Sequence, residues 1–277
     1  MCLILMAWQA HPGAPLIVAA NRDEFHARPA AGSAFWADAP ELLAGRDLQG
    51  GGTWLGVTRS GRFAALTNYR EPLLEREQGR GPSPALPTRG ALVRGFLESA
   101  QPPQAFLDHL AARAAAFTWF NLVVADLGPG RGADAGWASN RGAAAPRSHT
   151  LRPGVHGVSN HLLDTPWPKV QRGKAALREA LDEAAREGAL PSAERLLALL
   201  ADETRAPDEE LPETGVGLEV ERFLSPLFIR GADYGTRAST VVIVEASGWV
   251  TFVERRFGPS GRPEGTSEER FRIQRDR

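Results

Sequence analysis

Short apolar runs separated by turn residues make up the first third of the chain. Residues 3–8 and 16–20 are apolar runs of strand length, and the His-Pro-Gly stretch between them is a hairpin signal. Residues 53–58 and 62–67 flank a Ser-Gly pair in the same way. The pattern therefore predicts two antiparallel hairpins in this region.

The middle of the chain has the spacing of amphipathic helices. Residues 90–100 and 103–117 are predicted as two helices, and residues 167–187 as a longer third helix. Ser192 has the position of an N-cap for a fourth helix that continues through residues 196–200. We therefore expect a largely helical block between two regions of strands.

Strand-like runs return on either side of the third and fourth helices. They lie at residues 119–125, 228–230, 239–245 and 249–257. The run 240–244 is apolar on both faces, which is typical of a strand covered on both sides. The segment 72–88 is rich in Pro, Gly, Arg and Glu and is predicted as a loop, and the polar tail from Gly258 is predicted to be loosely held.

The order of these elements indicates the fold class. Strands joined by hairpins, then helices, then strands again are typical of an α+β protein with antiparallel sheets and helices outside them. Neither a linker nor a repeat is evident in the sequence. We therefore predict one domain, residues 1–277.

Composition narrows the class of protein. A chain of 29.9 kDa with 43% hydrophobic residues buries a substantial core. A formal charge of −1 gives no electrostatic reason to expect a nucleic-acid partner. The sequence has no apolar run long enough for a membrane span and no basic segment before its first apolar run, as a signal peptide would have. These features predict a cytoplasmic protein.

Cys2, the only cysteine, is the leading candidate for chemistry. If Met1 is trimmed, one residue carries a thiol and a free α-amine, and the amine is able to take the thiol's proton near neutral pH. The thiolate is then the nucleophile. The competing interpretation is that Cys2 begins a buried strand as a small hydrophobic residue. Position alone leaves both interpretations open.

Four polar residues follow the second predicted strand: Asn21, Arg22, Asp23 and Glu24. Antiparallel pairing with the first strand would bring this cluster to the same end of the sheet as Cys2. Asp23 would then orient the α-amine, and Arg22 would lower the pKa of the thiol. A solvated turn is the alternative interpretation of the cluster.

Amide and guanidinium groups end or begin other predicted strands. Asn68 and Asn160 each follow an apolar run, and a side-chain amide is a suitable donor to an oxyanion. Arg237 precedes the most apolar strand. Taken singly, each of these residues is typical of a turn or a cap.

Two further motifs are weaker. The glycines at 50–52 precede a strand rather than a helix and lack a following lysine, so they predict a tight turn rather than a phosphate loop. The histidines at 26, 156 and 161 do not have the spacing of metal ligands. We therefore predict neither a metal site nor a bound cofactor.

Several motifs occur in the order found in one known family. They are Asn21–Glu24 and the segments 51–56, 67–70, 163–169, 235–240 and 254–255, together with the Met-Cys start. On these motifs the chain resembles, over nearly its whole length, the NRDE family, the transport and Golgi organisation type of protein.

The resemblance implies a fold like that of N-terminal-nucleophile hydrolases, a four-layer αββα sandwich of two antiparallel sheets between helical layers. The cysteine-dependent bile-salt hydrolase and penicillin acylase group is the nearest comparison within that superfamily. By analogy, the catalytic residues are Cys2, Asp23, Asn68, Asn160 and Arg237, and the substrate-binding residues are Asn21, Arg22, Tyr69 and His161. That group has an arginine where this chain has Ala20, so Arg22 is the only arginine nearby.

Two functions are implied. The first is a cysteine amidohydrolase acting on a linear amide of a small or acyl-bearing molecule. The alternative is a non-catalytic carrier of haem or acyl-coenzyme A, since family members are associated with haem movement and with acyl-coenzyme A or lipid metabolism. Candidate haem ligands are His26, His156, His161 and Cys2, and candidate phosphate-binding cations are Arg70, Arg76, Arg80, Arg89 and Arg94.

Overall fold

The computed structural model describes residues 2–70, 88–128, 132–141 and 147–274. The strands are β1 Cys2–His11, β2 Ala14–Phe25, β3 Ala30–Trp36, β4 Ala39–Asp47, β5 Leu55–Thr58, β6 Arg62–Asn68, β7 Phe120–Asp126, β8 Asp134–Ser139, β9 Arg147–Thr150, β10 Gly154–Val158, β11 Tyr234–Val244, β12 Trp249–Phe257 and β13 Pro263–Arg272. The α-helices are α1 Gly90–Leu97, α2 Pro103–Ala111, α3 Pro168–Arg186, α4 Ala193–Leu200 and α5 Leu218–Leu224. Short 3₁₀ turns lie at Ala114–Ala116, Asp208–Glu210 and Pro259–Gly261.

The strands form two antiparallel sheets. The first sheet has the order β10-β1-β2-β11-β12-β13, and the second has the order β3-β4-β5-β6-β7-β8-β9. Because side chains alternate along a strand, each sheet has one face toward the other sheet and one face toward helices. In β1, Ile4 packs between the sheets, whereas Leu5 packs under α3. The layers are therefore helix, sheet, sheet, helix, which confirms the predicted αββα sandwich.

Three apolar clusters hold these layers together. The cluster between the sheets contains Phe63 from β6 and Phe252 from β12, both buried. A second cluster joins the first sheet to α3 and α4, and a third joins the second sheet to α1 and α2. Burial of a large aliphatic or aromatic side chain contributes about 1.5–3 kcal/mol, so the layered core is the main source of stability.

Local sequence explains where the long helices lie. Pro168 opens α3, a position where the missing N–H leaves no hydrogen bond unmade. Ser192 caps α4 as predicted, because its side-chain oxygen accepts a hydrogen bond from the backbone N–H of Arg195. Gly173 allows α3 to approach β1, since a Cβ atom there would lie 2.7 Å from Leu5 Cδ1. None of the helices in the described part of the chain is long and apolar enough to cross a bilayer.

Several predicted elements need correction. The tail from Gly258 was expected to be loosely held, but residues 263–272 form β13 and pair with β12 along its length. Residues 228–230 are not a strand, although Phe228 and Ile229 are buried. The helix predicted over 103–117 ends at Ala111 and continues as a 3₁₀ turn. The strands β3, β4, β8, β9 and β10 and the helix α5 were not predicted.

Two loop predictions have different outcomes. The glycines at 50–52 form a tight turn as predicted, with Gly51 at φ 72° and a backbone hydrogen bond from the Asp47 N–H to the Gly52 carbonyl. The predicted loop 72–88 lies, except for Thr88, outside the described residues.

Candidate active site

Cys2 and the polar cluster at the end of β2 meet at one end of the first sheet. Cys2 pairs directly with Arg22 across the β1–β2 ladder. Directly opposed residues of an antiparallel pair place their side chains on the same face. Arg22 and Cys2 therefore both point between the sheets, toward a pocket of about 380 Å³.

The pocket gathers some of the predicted site residues. Its lining includes Cys2, Arg22, Asp23, Asn68 and Arg237, and it leaves out the described residues Asn21, Tyr69, Asn160 and His161. The opposite wall comes from the second sheet, with Gly45 and Asp47 of β4 and Trp54 before β5.

Cys2 is buried at the start of β1, with 8% of its surface exposed. Burial raises the pKa of its thiol, and this outweighs the lowering by nearby positive charge and by a hydrogen bond with the Asp23 backbone. The Cys2 carbonyl oxygen accepts a hydrogen bond of 3.0 Å from Ser159 Oγ. The backbone at Cys2 is therefore fixed, and its thiol is held in the protonated form until a base removes the proton.

Asp23 lies behind Cys2 with 1% of its surface exposed. Its Oδ1 accepts a hydrogen bond of 2.7 Å from Thr236 Oγ1, and its backbone carbonyl accepts one of 3.2 Å from the Tyr234 hydroxyl. Burial raises the pKa of the Asp23 carboxyl, while the charge of Lys169 acts in the opposite direction. A buried carboxyl therefore lies on the strand next to that of Cys2.

Lys169 was not predicted as a site residue. It lies in the first turn of α3 with 2% of its surface exposed, and its Nζ has no hydrogen-bond partner among the described residues. Burial lowers the pKa of Lys169 to about 8, and attraction to Asp23 opposes this lowering. The signal in the sequence was the charged residue directly after Trp-Pro in the 163–169 motif, a position that helix packing buries.

Asn68 and Asn160 are adjacent but have different surroundings. Asn68 ends β6 and lines the pocket. Asn160 is fully buried, and its Nδ2 donates a hydrogen bond of 2.8 Å to the Asn68 backbone carbonyl. The Asn160 carbonyl in turn accepts from the Arg70 N–H at 2.8 Å. Asn160 therefore fixes the backbone that presents Asn68.

Asn21 faces the helices rather than the pocket. Its Nδ2 donates to the carbonyl oxygens of Leu200 and Leu227, each at 2.9 Å, and its Oδ1 accepts from Ser239 Oγ at 2.6 Å. These bonds tie the end of α4 and the segment before β11 to the first sheet. The structure thus gives Asn21 a position that joins elements.

Tyr69 and His161 form an aromatic group outside the pocket lining. Their ring centroids lie 4.9 Å apart, and His161 also lies 5.8 Å from the Trp167 ring. His161 Nδ1 lies 2.8 Å from Thr165 Oγ1, and burial lowers the pKa of this histidine. The group fixes the segment that leads into α3.

Arg237 lies at an irregularity of the β2–β11 pairing, between Thr236 and Ala238. Its Nη1 donates to the backbone carbonyls of Phe25, His26 and Arg28, at 3.0, 3.2 and 3.0 Å. Burial and then repulsion by Arg22 lower the pKa of Arg237. Its guanidinium therefore closes the turn after β2 while lining the pocket.

Glu254 and Arg256 of β12 are pocket residues that the sequence analysis did not predict as site residues, although Glu254 lies in one of the family motifs. Glu254 is 4% exposed, its Oε1 accepts from the Ser33 N–H at 2.7 Å, and burial raises the pKa of its carboxyl. Three consecutive charged residues, 254–256, lie near the end of β12, and the location of the partner sheet was needed to tell which of them face the pocket.

The histidines considered as ligands for haem or a metal do not form one cluster. His156 Nδ1 lies 2.8 Å from Asp164 Oδ2, and His26 lies near Gly235 in the turn after β2. Across the described ranges, no group of three or more His, Cys, Asp or Glu side chains is close enough together to hold a metal ion.

The layer order and the position of Cys2 at the pocket define a fold of the N-terminal-nucleophile hydrolase type. Two solved structures share it. The Caenorhabditis elegans N-acylethanolamine-hydrolyzing acid amidase (NAAA) ortholog has a TM-score of 0.51 at 14% identity, covering 87% of this chain and 92% of that one. The mutant C2A conjugated bile acid hydrolase from Clostridium perfringens has a TM-score of 0.52 at 8% identity, covering 100% of this chain and 97% of that one.

The family follows from sequence. The profile of the family Transport and Golgi organisation 2 (TANGO2) matches residues 1–259, and the chain belongs to this family. It is 37% identical to the Bos taurus Transport and Golgi organization protein 2 homolog over 290 residues, covering 99% of this chain and 100% of that protein. It is 36% identical to the Homo sapiens Transport and Golgi organization protein 2 homolog, covering 92% of this chain and 92% of that protein. It is 30% identical to the Drosophila melanogaster Transport and Golgi organization protein 2, covering 92% of this chain and 91% of that protein.

Proposed function

We propose that the protein is a cysteine N-terminal-nucleophile amidohydrolase that acts on a linear amide of a small or acyl-bearing molecule. The observation that carries the proposal is the position of Cys2. It begins an inner strand of the first sheet, and its side chain lies on the face that opens into the pocket between the sheets.

The chemistry requires Cys2 to be the first residue of the mature chain. Its neutral α-amine takes the thiol proton, and the sulfur attacks the carbonyl carbon of the amide. The carbonyl oxygen becomes an oxyanion, to which the Asn68 side-chain amide donates a hydrogen bond. The tetrahedral intermediate collapses, the C–N bond breaks and the leaving amine takes the proton from the α-ammonium. Water then hydrolyses the thioester and restores the thiol.

The raised pKa of the Cys2 thiol supports a mechanism in which a neighbouring base removes its proton. Because burial raises the pKa of the thiol, little thiolate forms without a neighbouring base. In the proposed mechanism Asp23 orients that base, and the positive charge of Lys169 favours the ionised carboxylate.

The first test combines mass spectrometry with alkylation. Intact-mass measurement shows whether Met1 is removed, and iodoacetamide labelling at pH 7 measures the reactivity of Cys2. We expect trimmed protein whose thiol reacts faster than that of the unfolded chain. A panel of N-acyl amides should be turned over by the wild type and not by Cys2→Ala. Retained Met1, or alkylation limited by unfolding, would contradict the mechanism.

The carrier alternative has less support at the predicted cations. Arg70 pairs with Glu221, Arg94 pairs with Glu98 at 2.7 Å, and Arg89 donates to the Trp119 carbonyl at 3.1 Å. Arg76 and Arg80 lie outside the described residues. Binding of haem or acyl-coenzyme A stays a prediction, which titration of the wild type with each ligand tests, with Cys2→Ala showing whether the thiol takes part.

A further inference from the structure

Four residues form a row across the first sheet at the level of Cys2. Cys2 pairs with Arg22, Arg22 pairs with Ala238, and Ala238 pairs with Arg256. The row runs over the neighbouring strands β1, β2, β11 and β12, and all four side chains line the pocket. Neighbouring strands are about 4.8 Å apart. The two arginines therefore arise about 10 Å apart, with only the methyl group of Ala238 between them.

The surroundings of Arg256 leave its charge for a ligand. Arg256 makes no ion pair with any residue in the described ranges, and its buried Nε has no hydrogen-bond partner there. Two glycines leave room for the side chain. A Cβ atom at Gly32 would lie 2.9 Å from Nε, and one at Gly265 would lie 3.3 Å from Nη2. The guanidinium of Arg256 therefore occupies space that a side chain at either glycine would fill.

Two carboxylates of the pocket pair with other arginines, and two interact more weakly with Arg22 or Arg256. Asp47 pairs with Arg28 at 2.6 Å, and Glu264 pairs with Arg262 at 3.4 Å. Glu254 accepts from the Ser33 backbone, although it also interacts with Arg256 and Arg22. Glu24 lies 3.9 Å from Arg22, a distance longer than that of a hydrogen-bonded pair. The space over Ala238 is therefore flanked by positive charge.

We propose that Arg22 and Arg256 form an anion-binding subsite over Ala238, and that the substrate of Cys2 carries an anionic group, a carboxylate or a phosphate, near its scissile amide. The proposal rests on the proposed function, because Cys2 fixes where the scissile bond lies. The planar fork of an arginine matches the oxygens of either group. An amide without such a group would bring no negative charge to these two guanidinium groups.

A pair of electrophiles tests the subsite through Cys2. N-ethylmaleimide is neutral, and 3-maleimidopropionate carries a carboxylate on a chain of similar length. The ratio of their labelling rates at Cys2 cancels the fraction of thiolate, which is the same for both reagents. We expect the ratio of anionic to neutral rate to exceed that of the urea-unfolded chain by about tenfold. It should fall as ionic strength rises.

Variants of Arg256 and of a neighbouring arginine distinguish a specific anion-binding subsite from the effect of positive charge in general. Arg256→Gln should lower the ratio toward that of the unfolded chain, and Arg256→Lys should retain part of it. Arg255→Gln is the matched control, because Arg255 lies on the opposite face and pairs with Glu194 at 2.7 Å. It should leave the ratio unchanged. Equal ratios in the wild type and Arg256→Gln, with both folded by circular dichroism, would overturn the proposal.

A second measurement does not depend on the reactivity of Cys2. In Cys2→Ala, sodium phosphate is titrated at constant ionic strength while the arginine Nε–H signals are followed by NMR. We expect saturable shifts of the Arg22 and Arg256 signals. In Arg256→Gln the missing signal assigns Arg256, and the Arg22 signal should no longer shift. Sodium propionate in place of phosphate shows which anion is preferred. Shifts without saturation for both anions would overturn the subsite, whereas saturable shifts beside an unreactive Cys2 would contradict only the proposed function.

Discussion

Lys169 and Asp23 bring opposite charges into the space behind Cys2, with side chains that are 2% and 1% exposed. An isolated buried ammonium or carboxylate is strongly disfavoured, and each ion here is tolerated because the other is close. The pair therefore acts as a unit. The charge of Lys169 favours the ionised form of Asp23, which the proposed mechanism needs in order to hold the α-amine.

Substitution of Lys169 tests this coupling. Lys169→Met should raise the pKa of the Asp23 carboxyl further, because the charge that opposes the effect of burial is removed. Carbon-13 NMR of labelled aspartate, assigned with Asp23→Asn, measures that pKa. Stability should fall by about 3–5 kcal/mol, the usual result of breaking a buried pair. Lys174→Met, on the same helix, is the control for the titration alone and should leave the pKa of Asp23 unchanged, whereas an unchanged Asp23 titration in Lys169→Met would show that the two groups are not coupled.

A second charged group lies in the 163–169 motif. Asp164 Oδ2 lies 2.8 Å from His156 Nδ1, and its Oδ1 accepts from the Lys174 Nζ at 2.5 Å. Burial tends to raise the pKa of Asp164, but hydrogen bonds from His156 and Lys174 outweigh it and lower the pKa to about 2. Asp164 also has a φ of 58°, a left-handed conformation that Asp and Asn tolerate better than most residues.

Asp164→Asn keeps this backbone preference and removes the charge. A carboxyl with a lowered folded pKa stabilises the fold above its ordinary pKa of 3.8, and this contribution is lost as the pH falls toward 2. The variant should therefore lose about 1–2 kcal/mol at pH 7 and show a flatter stability between pH 4 and 2. Urea unfolding at each pH measures this. Asp182→Asn, an exposed carboxylate of α3, should leave the profile as in the wild type.

At the scale of elements, hydrophobic patterning identified the strands that fill the core. The bounds predicted for β12 match those observed, and β1 and β2 were predicted in their apolar parts. Two of the strands that were missed, β9 and β13, carry few buried residues. In β13 only Phe271 is buried, and β9 has no fully buried residue. These strands form because a neighbour supplies backbone partners, which a pattern of side chains does not reveal.

The candidate site was predictable to the same extent. The end of the sheet that holds Cys2 and residues 21–24 followed from antiparallel pairing, which the Cys2–Arg22 register confirms. The sequence did not show which face of the sheet each of these residues points to, because the strand before Asn21 is apolar on both sides. Only the structure shows that helices cover the face of Asn21 and that the second sheet faces Arg22. Lys169 and Arg256 come from distant parts of the chain, so their proximity to Cys2 depends on tertiary packing.

The strand β13, which lies in the segment expected to be a loosely held tail, gives a prediction at the scale of elements. Phe271 of β13 is 8% exposed and packs into the core between the sheets, with its ring 5.5 Å from that of Phe35. Phe271→Ala should therefore lower stability by about 3 kcal/mol, as measured by urea unfolding. The exposed Leu218 offers the control Leu218→Ala, with little expected change. A loss equal to that of the control would indicate that β13 contributes little to the fold.

At the scale of the whole molecule, each sheet covers the inner face of the other. Residues from both sheets, among them Val18 and Val242 of the first and Val57 and Val123 of the second, belong to one apolar cluster. Separation of the sheets would expose both inner faces to water at once, at about 25 cal/mol for each Å² of apolar surface. The layers are therefore expected to unfold together, as one domain.

Hydrogen exchange in a core variant tests this cooperativity. Phe63 lies in β6 of the second sheet and is fully buried between the sheets, so Phe63→Leu should lower stability by about 1–2 kcal/mol. If the chain unfolds as one unit, the most protected amides of β11, in the first sheet, should lose the same free energy as those of β7 beside Phe63. Calorimetry should show one transition in both proteins. Loss of protection confined to the second sheet, with β11 unchanged, would mean that the two sheets are separate folding units.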